Sequence, residues 1–200
     1  MLRPVTLTSH RLQLRPLTRQ DIPALCKVGL DPDLWQTTTF TVSSEEEMAA
    51  YVDRALQWQA EGTCLPFAIV ERATAEVVGT SRFCRYDAGN RNTEIGYTWF
   101  ARRLHGSGVN FEAKFLMLAH AFERLELIRV ELRAYEPNLR SRRAIEKIGA
   151  TFEGIRRNSV LSPARGHANH AVFSIIVEEW PDVKEHLLGC IKQSLDPSRQ

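Results

Sequence analysis

The sequence predicts an α+β (mixed α/β) fold: a central, mostly antiparallel sheet flanked by helices. Two patterns carry this. Three apolar or β-branched runs follow one another through short polar links, which reads as an antiparallel meander. Between Glu94 and Ala134 a strand, a glycine turn, a long amphipathic helix and another strand succeed one another, a crossover that implies one parallel pairing. At 200 residues, 44% hydrophobic and 25% charged, the chain is long enough for one well-buried core and falls in the usual range of one domain. The expected domain is 1–200, with its core over about 8–190 and a tail over 191–200.

In chain order, Leu12 and Leu14 give a short period-two strand, and Thr18 is a plausible N-cap for a helix through Ile22, Leu25 and Val28. A turn-rich patch, Asp31-Pro32-Asp33, comes next. Ser44 with Glu47 three residues on is a capping-box pattern, and Met48, Tyr51, Val52, Ala55 and Leu56 recur at helical spacing as far as Gly62. The runs Leu65 to Val70 and Val77 to Phe83, joined by the polar stretch Glu71 to Glu76, form a hairpin. The third run is Glu94 to Phe100. Phe111, Phe115, Leu118, Phe122 and Leu125 then give a helix one strongly apolar face, and Ile128, Val130, Leu132 and Ala134 alternate as a strand. Pro137-Asn138 opens another helix, with Gly149 as its stop. Phe152 and Val172 to Val177 supply later strand material around a polar loop, Ser162 to His167, and Asp196 to Gln200 read as a frayed tail.

Several classes of function fall away. A net charge of +2, from 26 basic and 24 acidic residues, does not point to nucleic acid. Cys26, Cys64, Cys84 and Cys190 form no Cys-x-x-Cys pair, so neither a zinc site nor a redox motif is indicated, and no metal is expected. The N-terminus lacks the apolar block of a signal peptide and no apolar run is long enough to span a bilayer, so a cytoplasmic location is expected. What remains is the junction Arg102-Arg103-Leu104-His105-Gly106-Ser107-Gly108. There, backbone N–H groups left open at the positive end of a helix suit a phosphate or pyrophosphate.

Arg103-Leu104-His105-Gly106-Ser107-Gly108 is similar to the pyrophosphate loop of the GCN5-related N-acetyltransferase (GNAT) family, and the order of elements resembles that fold over nearly the whole chain. Glu94-Ile95-Gly96-Tyr97, the segment Gly106 to Lys114, and Asn138 to Ala150 together resemble the branch that acetylates ribosomal-protein N-termini at alanine or serine. The resemblance implies acetyl-CoA as co-substrate, held by backbone amides from about Leu104 to Val109, with Arg103, His105, Gly106, Ser107, Gly108 and Asn110 in the loop and helix start. It implies a catalytic base at Glu94, a hydroxyl near the CoA sulfur at Ser141, and a pantetheine contact at Asn138. Arg140 and Arg143 are candidate phosphate partners.

Each position has a plain structural alternative. Glu94 has the lesser alternative of a solvent-facing strand residue, Ser141 reads equally as the third residue of a helix capped by Asn138, and the arginines as a solvated face. Ile145 stands where many relatives carry a tyrosine acid, and Asn169 and His170 stand where they carry an Arg-Asp pair. His105 and His170 read as loop or surface residues, and Trp35, Trp58 and Phe40 as packing or as the wall of an amine cleft. The expected partner is an amine acceptor, a protein N-terminus or a small molecule, with a homodimer left open. Transfer is expected by direct attack in a ternary complex. A cysteine-based ping-pong route and a catalytically silent acyl-CoA-binding or partner-binding module are the competing readings.

Overall fold

The structure, a computed structural model, describes residues 2–163 and 165–196. Ala164 of the expected loop and Pro197 to Gln200 of the expected frayed tail lie outside the described residues. The chain opens with β1 (Leu7–Thr8) and β2 (Leu12–Pro16), which are antiparallel partners. Leu12 and Leu14 are both fully buried, as the period-two pattern requires. Thr18 caps a 3₁₀ turn, Arg19–Asp21, before α1 (Ile22–Gly29) begins. In α2 (Glu45–Ala60), Ser44 accepts from the Glu47 amide as expected. Glu47 returns one residue further back than the box pattern implies, accepting from the Ser43 amide at 2.7 Å.

The meander forms as expected: β3 (Leu65–Glu71), β4 (Glu76–Asp87) and β5 (Asn92–Phe100) pair antiparallel in turn. Next come α3 (Val109–Ala119) and β6 (Arg129–Tyr135), and β6 pairs parallel with β5, completing the crossover. The chain ends in α4 (Leu139–Glu146), β7 (Thr151–Ser162), β8 (Gly166–Ile176) and α5 (Trp180–Ser194). All eight strands join one sheet in the order β1-β2-β3-β4-β5-β6-β8-β7. α3 and α5 bury one face over Leu14, Phe67, Phe83 and Ile95; α1 and α2 bury the other over Ala68, Val77 and Trp99.

Three expectations change in detail. The aromatic stripe of α3 does not face the sheet: Phe115 and Phe122 pack on Trp180 of α5, with ring centroids 6.3 and 5.4 Å apart. The wholly buried side carries Val109, Ala113 and Met117, flanked by the buried charges Glu112 and Lys114. β7 is a twelve-residue edge strand rather than a short run at Phe152. Its Arg156-Arg157-Asn158 stretch is exposed and interrupted by register shifts, so it never shows a clean alternation. α5 runs to Ser194, four residues into the stretch expected as tail. Pro181 in its first turn and the buried Trp180, Val183 and Leu187 carry its helical pattern.

Candidate active site

β5 and β6 pair at only three positions, Asn92↔Arg129, Thr93↔Val130 and Glu94↔Glu131. Beyond them β5 continues to Phe100 paired only with β4, and β6 to Tyr135 paired only with β8. The sheet therefore opens in a wedge with Glu94 at its closed end, and two strand edges turn their backbone groups into the gap. On β5, Gly96 opposes Arg82 and Trp99 opposes Thr80, so Tyr97 and Thr98 together face Ser81. Tyr97, at φ +53°, is the strained residue of this bulge.

Glu94 is 8% exposed, which removes the reading of a solvent-facing strand residue. Its Oε2 lies 3.1 Å from Arg85 Nε and 3.3 Å from Arg133 Nε, yet has no hydrogen-bond partner among the described residues. Burial pushes the carboxyl pKa above its ordinary value, Arg133 and Arg85 pull it back, and Glu131 adds to the rise. Cys84 faces Glu94 across the β4–β5 ladder, a proximity the sequence does not reveal. Burial raises its thiol well above the ordinary range, and Cys64 is pushed up to about 11, so neither supplies a ready thiolate.

The glycine turn sits beyond the far end of β5. Gly106 and Gly108 have φ +80° and +83°, a region where a side chain is strained. A Cβ at Gly108 would also stand 2.3 Å from Ser194 Cβ of α5. The expected run of amides from Leu104 to Val109 is only partly available. Leu104, His105 and Ser107 spend their N–H groups on Ala101, Arg102 and Leu104 carbonyls. Among the described residues, the amides of Gly106, Gly108, Val109 and Asn110 have no backbone partner, and this is a cradle for an anion at the start of a helix of eleven residues. The side chains of Leu104 and Val109 are buried in the core, so those residues can offer a ligand their backbone alone.

Arg11 holds this turn from behind. Its Nη1 donates to the Ser107 carbonyl at 2.8 Å, its Nη2 to Ser194 Oγ at 2.9 Å, and its Nε to Glu112. Glu112 is wholly buried and also accepts from Ser9 Oγ and the Arg11 amide. β2, the glycine turn, α3 and α5 thus meet at one ion pair. Nothing in the sequence spacing marks it, because its partners are 101 residues apart.

The expected cations divide. Arg103 turns away and pairs with Glu71 and Glu76 on the β3–β4 hairpin, a correction to its place in the loop site. Two carboxylates one hairpin away outcompete an exposed position beside the turn. Arg102 instead lines a cleft of about 260 Å³ with His105, Arg140, Asp33 and Gln36. His105 Nδ1 stands 3.4 Å from Arg140 Nη1, which joins the turn to the first residues of α4. Burial, then the charge of Arg140, lowers the His105 pKa. Arg143 is exposed on the next turn of α4.

Asn138 caps α4, its Oδ1 accepting from the Ser141 amide at 3.0 Å, while its Nδ2 donates to the Thr37 carbonyl at 2.6 Å. Both side-chain atoms are engaged, which leaves the second amide hydrogen and the second lone pair of Oδ1 for a pantetheine contact. Ser141 is the third residue of that helix, and its hydroxyl makes no hydrogen bond among the described residues. Ile145, at the position of the expected tyrosine, is a buried core residue. Asn169 and His170 are occupied, the first by Asn158 of β7 and by Glu136 just after β6, the second by Ser159 of β7.

The loop 36–40 is tied across this end of the molecule by Asn138, by Ser162 Oγ donating to the Thr39 carbonyl, and by Arg165 donating to the Thr38 carbonyl. It brings Phe40 onto Tyr51 and Tyr97, at 5.9 and 5.6 Å between centroids. Trp35 is packed, donating to the Gly29 carbonyl, whereas Phe40 and Trp58 are half-exposed beside Tyr97. Of the three expected aromatics, two therefore stand where a ligand could meet them.

Residues 11–151 match the family model described as the acetyltransferase (GNAT) domain. The chain is 32% identical over 181 residues to the uncharacterized N-acetyltransferase p20 of Bacillus licheniformis, covering 88% of this chain and 98% of that one. YdaF of Bacillus subtilis (strain 168), named provisionally as a ribosomal N-acetyltransferase, is 36% identical over 98 residues, 49% of this chain and 52% of its own. Among solved structures, a GCN5-related N-acetyltransferase from Brucella melitensis matches with a TM-score of 0.88 at 25% identity, covering all of this chain and 91% of that one. The glycine turn and the wedge both lie inside the matched segment. The chain belongs to the GNAT family and is an N-acetyltransferase.

Proposed function

We propose that the protein transfers an acetyl group from acetyl-CoA to a primary amine by direct attack in a ternary complex. The observation that carries this is the wedge between β5 and β6, with a buried carboxylate at its closed end and a cradle of open amides beyond the far end of β5. Open strand edges suit an extended amide-bearing arm such as pantetheine, through the backbone pairing that adds a strand to a sheet. The amides of Gly106, Gly108, Val109 and Asn110 suit its pyrophosphate, and Arg102, His105 and Arg140 border the adjoining cleft.

When bound, the co-substrate supplies an activated acyl group on a thiol leaving group. The chain supplies the rest. Glu94 takes a proton from the acceptor ammonium, directly or through water, and its raised pKa brings it nearer the amine's. The free nitrogen then forms its bond to the acyl carbon, the carbon–sulfur bond breaks with its electron pair on sulfur, and the second proton lost by the nitrogen ends on that sulfur, giving amide and thiol. The bulge at Tyr97 and Thr98 offers backbone N–H to the oxygen that gains charge in between. Ser141 donates a hydrogen bond to the departing sulfur and its helix start favours the negative charge there. A covalent route through cysteine is disfavoured because Cys64 and Cys84 are held as thiols. The name YdaF carries makes a protein N-terminus one acceptor to test, and p20 leaves small amines equally in view.

Calorimetry with acetyl-CoA, followed by thiol-release assays over free amines and N-terminal peptides, tests the reading. Saturable binding and CoA release that depends on an amine are expected. Binding with no turnover on any amine would sink it in favour of a silent module. The Arg11 clamp gives a second expected result: Arg11→Met leaves Glu112 buried and unpaired, at a cost of about 3–5 kcal/mol. Scanning calorimetry should find a lower Tm, and the variant should bind acetyl-CoA more weakly because the Ser107 carbonyl is released. A normal Tm with unchanged affinity would remove Arg11 from both roles.

A further inference from the structure

We propose that Arg82 binds a carboxylate on the acceptor, so that the amine acetylated here is an amino acid or a close relative with its carboxylate near the reacting nitrogen. This deepens the proposed acetyltransferase reading and rests on it. Arg82 lies in β4 and is 1% exposed, yet its Nε and Nη2 are buried with no hydrogen-bond partner. No ion pair of Arg82 is found among the described residues, although other inward-reaching arginines have theirs: Arg11 with Glu112, Arg15 with Asp21, Arg133 with Glu131. The fold pairs its buried guanidinium groups elsewhere and leaves this one open.

The surroundings explain what stabilises the charge and what does not. The guanidinium carbon is 4.0 Å from the Tyr97 ring centroid, 4.5 Å from Tyr51 and 5.8 Å from Trp58. The rings stabilise the charge but accept none of the hydrogens of Nε and Nη2. The Tyr51 hydroxyl bonds Thr80 Oγ1 at 2.9 Å and the Tyr97 carbonyl at 3.3 Å and also interacts with the guanidinium, while Nε and Nη2 stay without a partner. An unserved edge on a buried cation is costly in the free protein, and a bidentate carboxylate is the group whose geometry matches it.

The position relative to Glu94 sets the chemistry. Arg82 opposes Gly96 and Cys84 opposes Glu94, so Arg82 and Glu94 share a sheet face as diagonal neighbours. Between them position 96 carries no side chain. A Cβ there would stand 2.9 Å from Glu94 Oε1, so glycine lets the Glu94 carboxylate lie over position 96, toward the residue that Arg82 opposes. An ammonium at Glu94 and a carboxylate at Arg82 belong to one small zwitterion. Phe40, on the tied loop 36–40, packs on Tyr51 and Tyr97, the two rings nearest the guanidinium.

Thiol-release kinetics with the full chain and saturating acetyl-CoA test this, using a panel of free amino acids, each beside its carboxamide, together with N-terminal peptides. Wild type should favour the best acid over its amide by about 10- to 100-fold in kcat/KM, the worth of one charge-assisted pair. Arg82→Gln should erase that ratio while turnover of amides persists, and Arg82→Lys should restore part of it. Equal turnover of acids and amides, peptides preferred over every free amino acid, or an unchanged ratio in Arg82→Gln would overturn the proposal while leaving the acetyltransferase reading standing. If Arg82→Gln does not fold, competitive inhibition of the wild type by N-acetyl amino acids against their amides decides it, a carboxylate-dependent inhibition being expected and equal inhibition overturning it. No turnover of any amine would instead overturn the underlying reading.

Discussion

Replacing Glu94 with glutamine is expected to lower kcat by about 10²- to 10⁴-fold while the chain still folds. The substitution keeps the shape of the side chain and removes only its ability to take a proton. Glu94 is placed for that role by the last rung of the β5–β6 ladder, buried at the closed end of the wedge and on the face that carries the half-exposed aromatics. An unperturbed carboxylate, at a pKa of about 4.3, would be a weak base for an ammonium at about 10. Burial moves Glu94 in the needed direction, and Arg133 and Arg85 keep it ionisable. The sign of the pH dependence follows. As pH falls through the raised pKa, Glu94 protonates and kcat/KM falls, so the acidic limb should lie above the ordinary glutamate value and vanish in Glu94→Gln. Stability moves the other way: a carboxyl whose folded pKa is raised stabilises the fold when protonated and loses that contribution as pH rises through the folded value. Glu94→Gln should therefore not lower Tm at neutral pH by more than the loosened Arg85 and Arg133 contacts cost. Unchanged turnover, or an unmoved acidic limb, would take Glu94 out of the chemistry.

The sheet was legible because its signals are local. Alternation in Val130, Leu132 and Ala134, the glycines at 106 and 108, and the Asn138 cap each declare their structure within a few residues. The glycine turn was legible in the same way, whereas Glu94 and Ser141 were singled out only through the resemblance to a family. What stayed hidden depends on partners far apart in the chain. Arg82 reads in sequence as one polar residue in an apolar strand, and only the arrival of Tyr51 and Tyr97 beside it makes it a buried cation with N–H groups left open. Arg103 sits in the right motif, but the hairpin at Glu71 and Glu76 claims it. Glu112 and Lys114 look like the polar face of an amphipathic helix. Because α3 is covered by the sheet on one side and α5 on the other, both are buried instead.

Lys114 leads to the second large effect, a Lys114→Met chain expected to be more stable than the parent at neutral pH. The lysine is 5% exposed, and among the described residues its ammonium donates only to Thr98 Oγ1, at 2.6 Å in the β5 bulge. Burial lowers its pKa from 10.5 to about 7. Between those values the unfolded chain holds a proton that the folded chain does not, so wild-type stability rises with pH across that window. At about 1.4 kcal/mol per pH unit, the penalty at pH 7 is on the order of 4 kcal/mol. Methionine fills a similar length with no charge to desolvate, and Thr98 retains its hydrogen bond with Ser81 Oγ at 2.7 Å. The variant should melt on the order of 10 °C higher at pH 7. Its advantage should shrink steadily toward pH 10.5, where the parent lysine is increasingly neutral in both states. A gap in Tm that is constant with pH, or a variant that melts lower throughout, would show that Lys114 is held in its charged form and props the bulge by its hydrogen bond to Thr98.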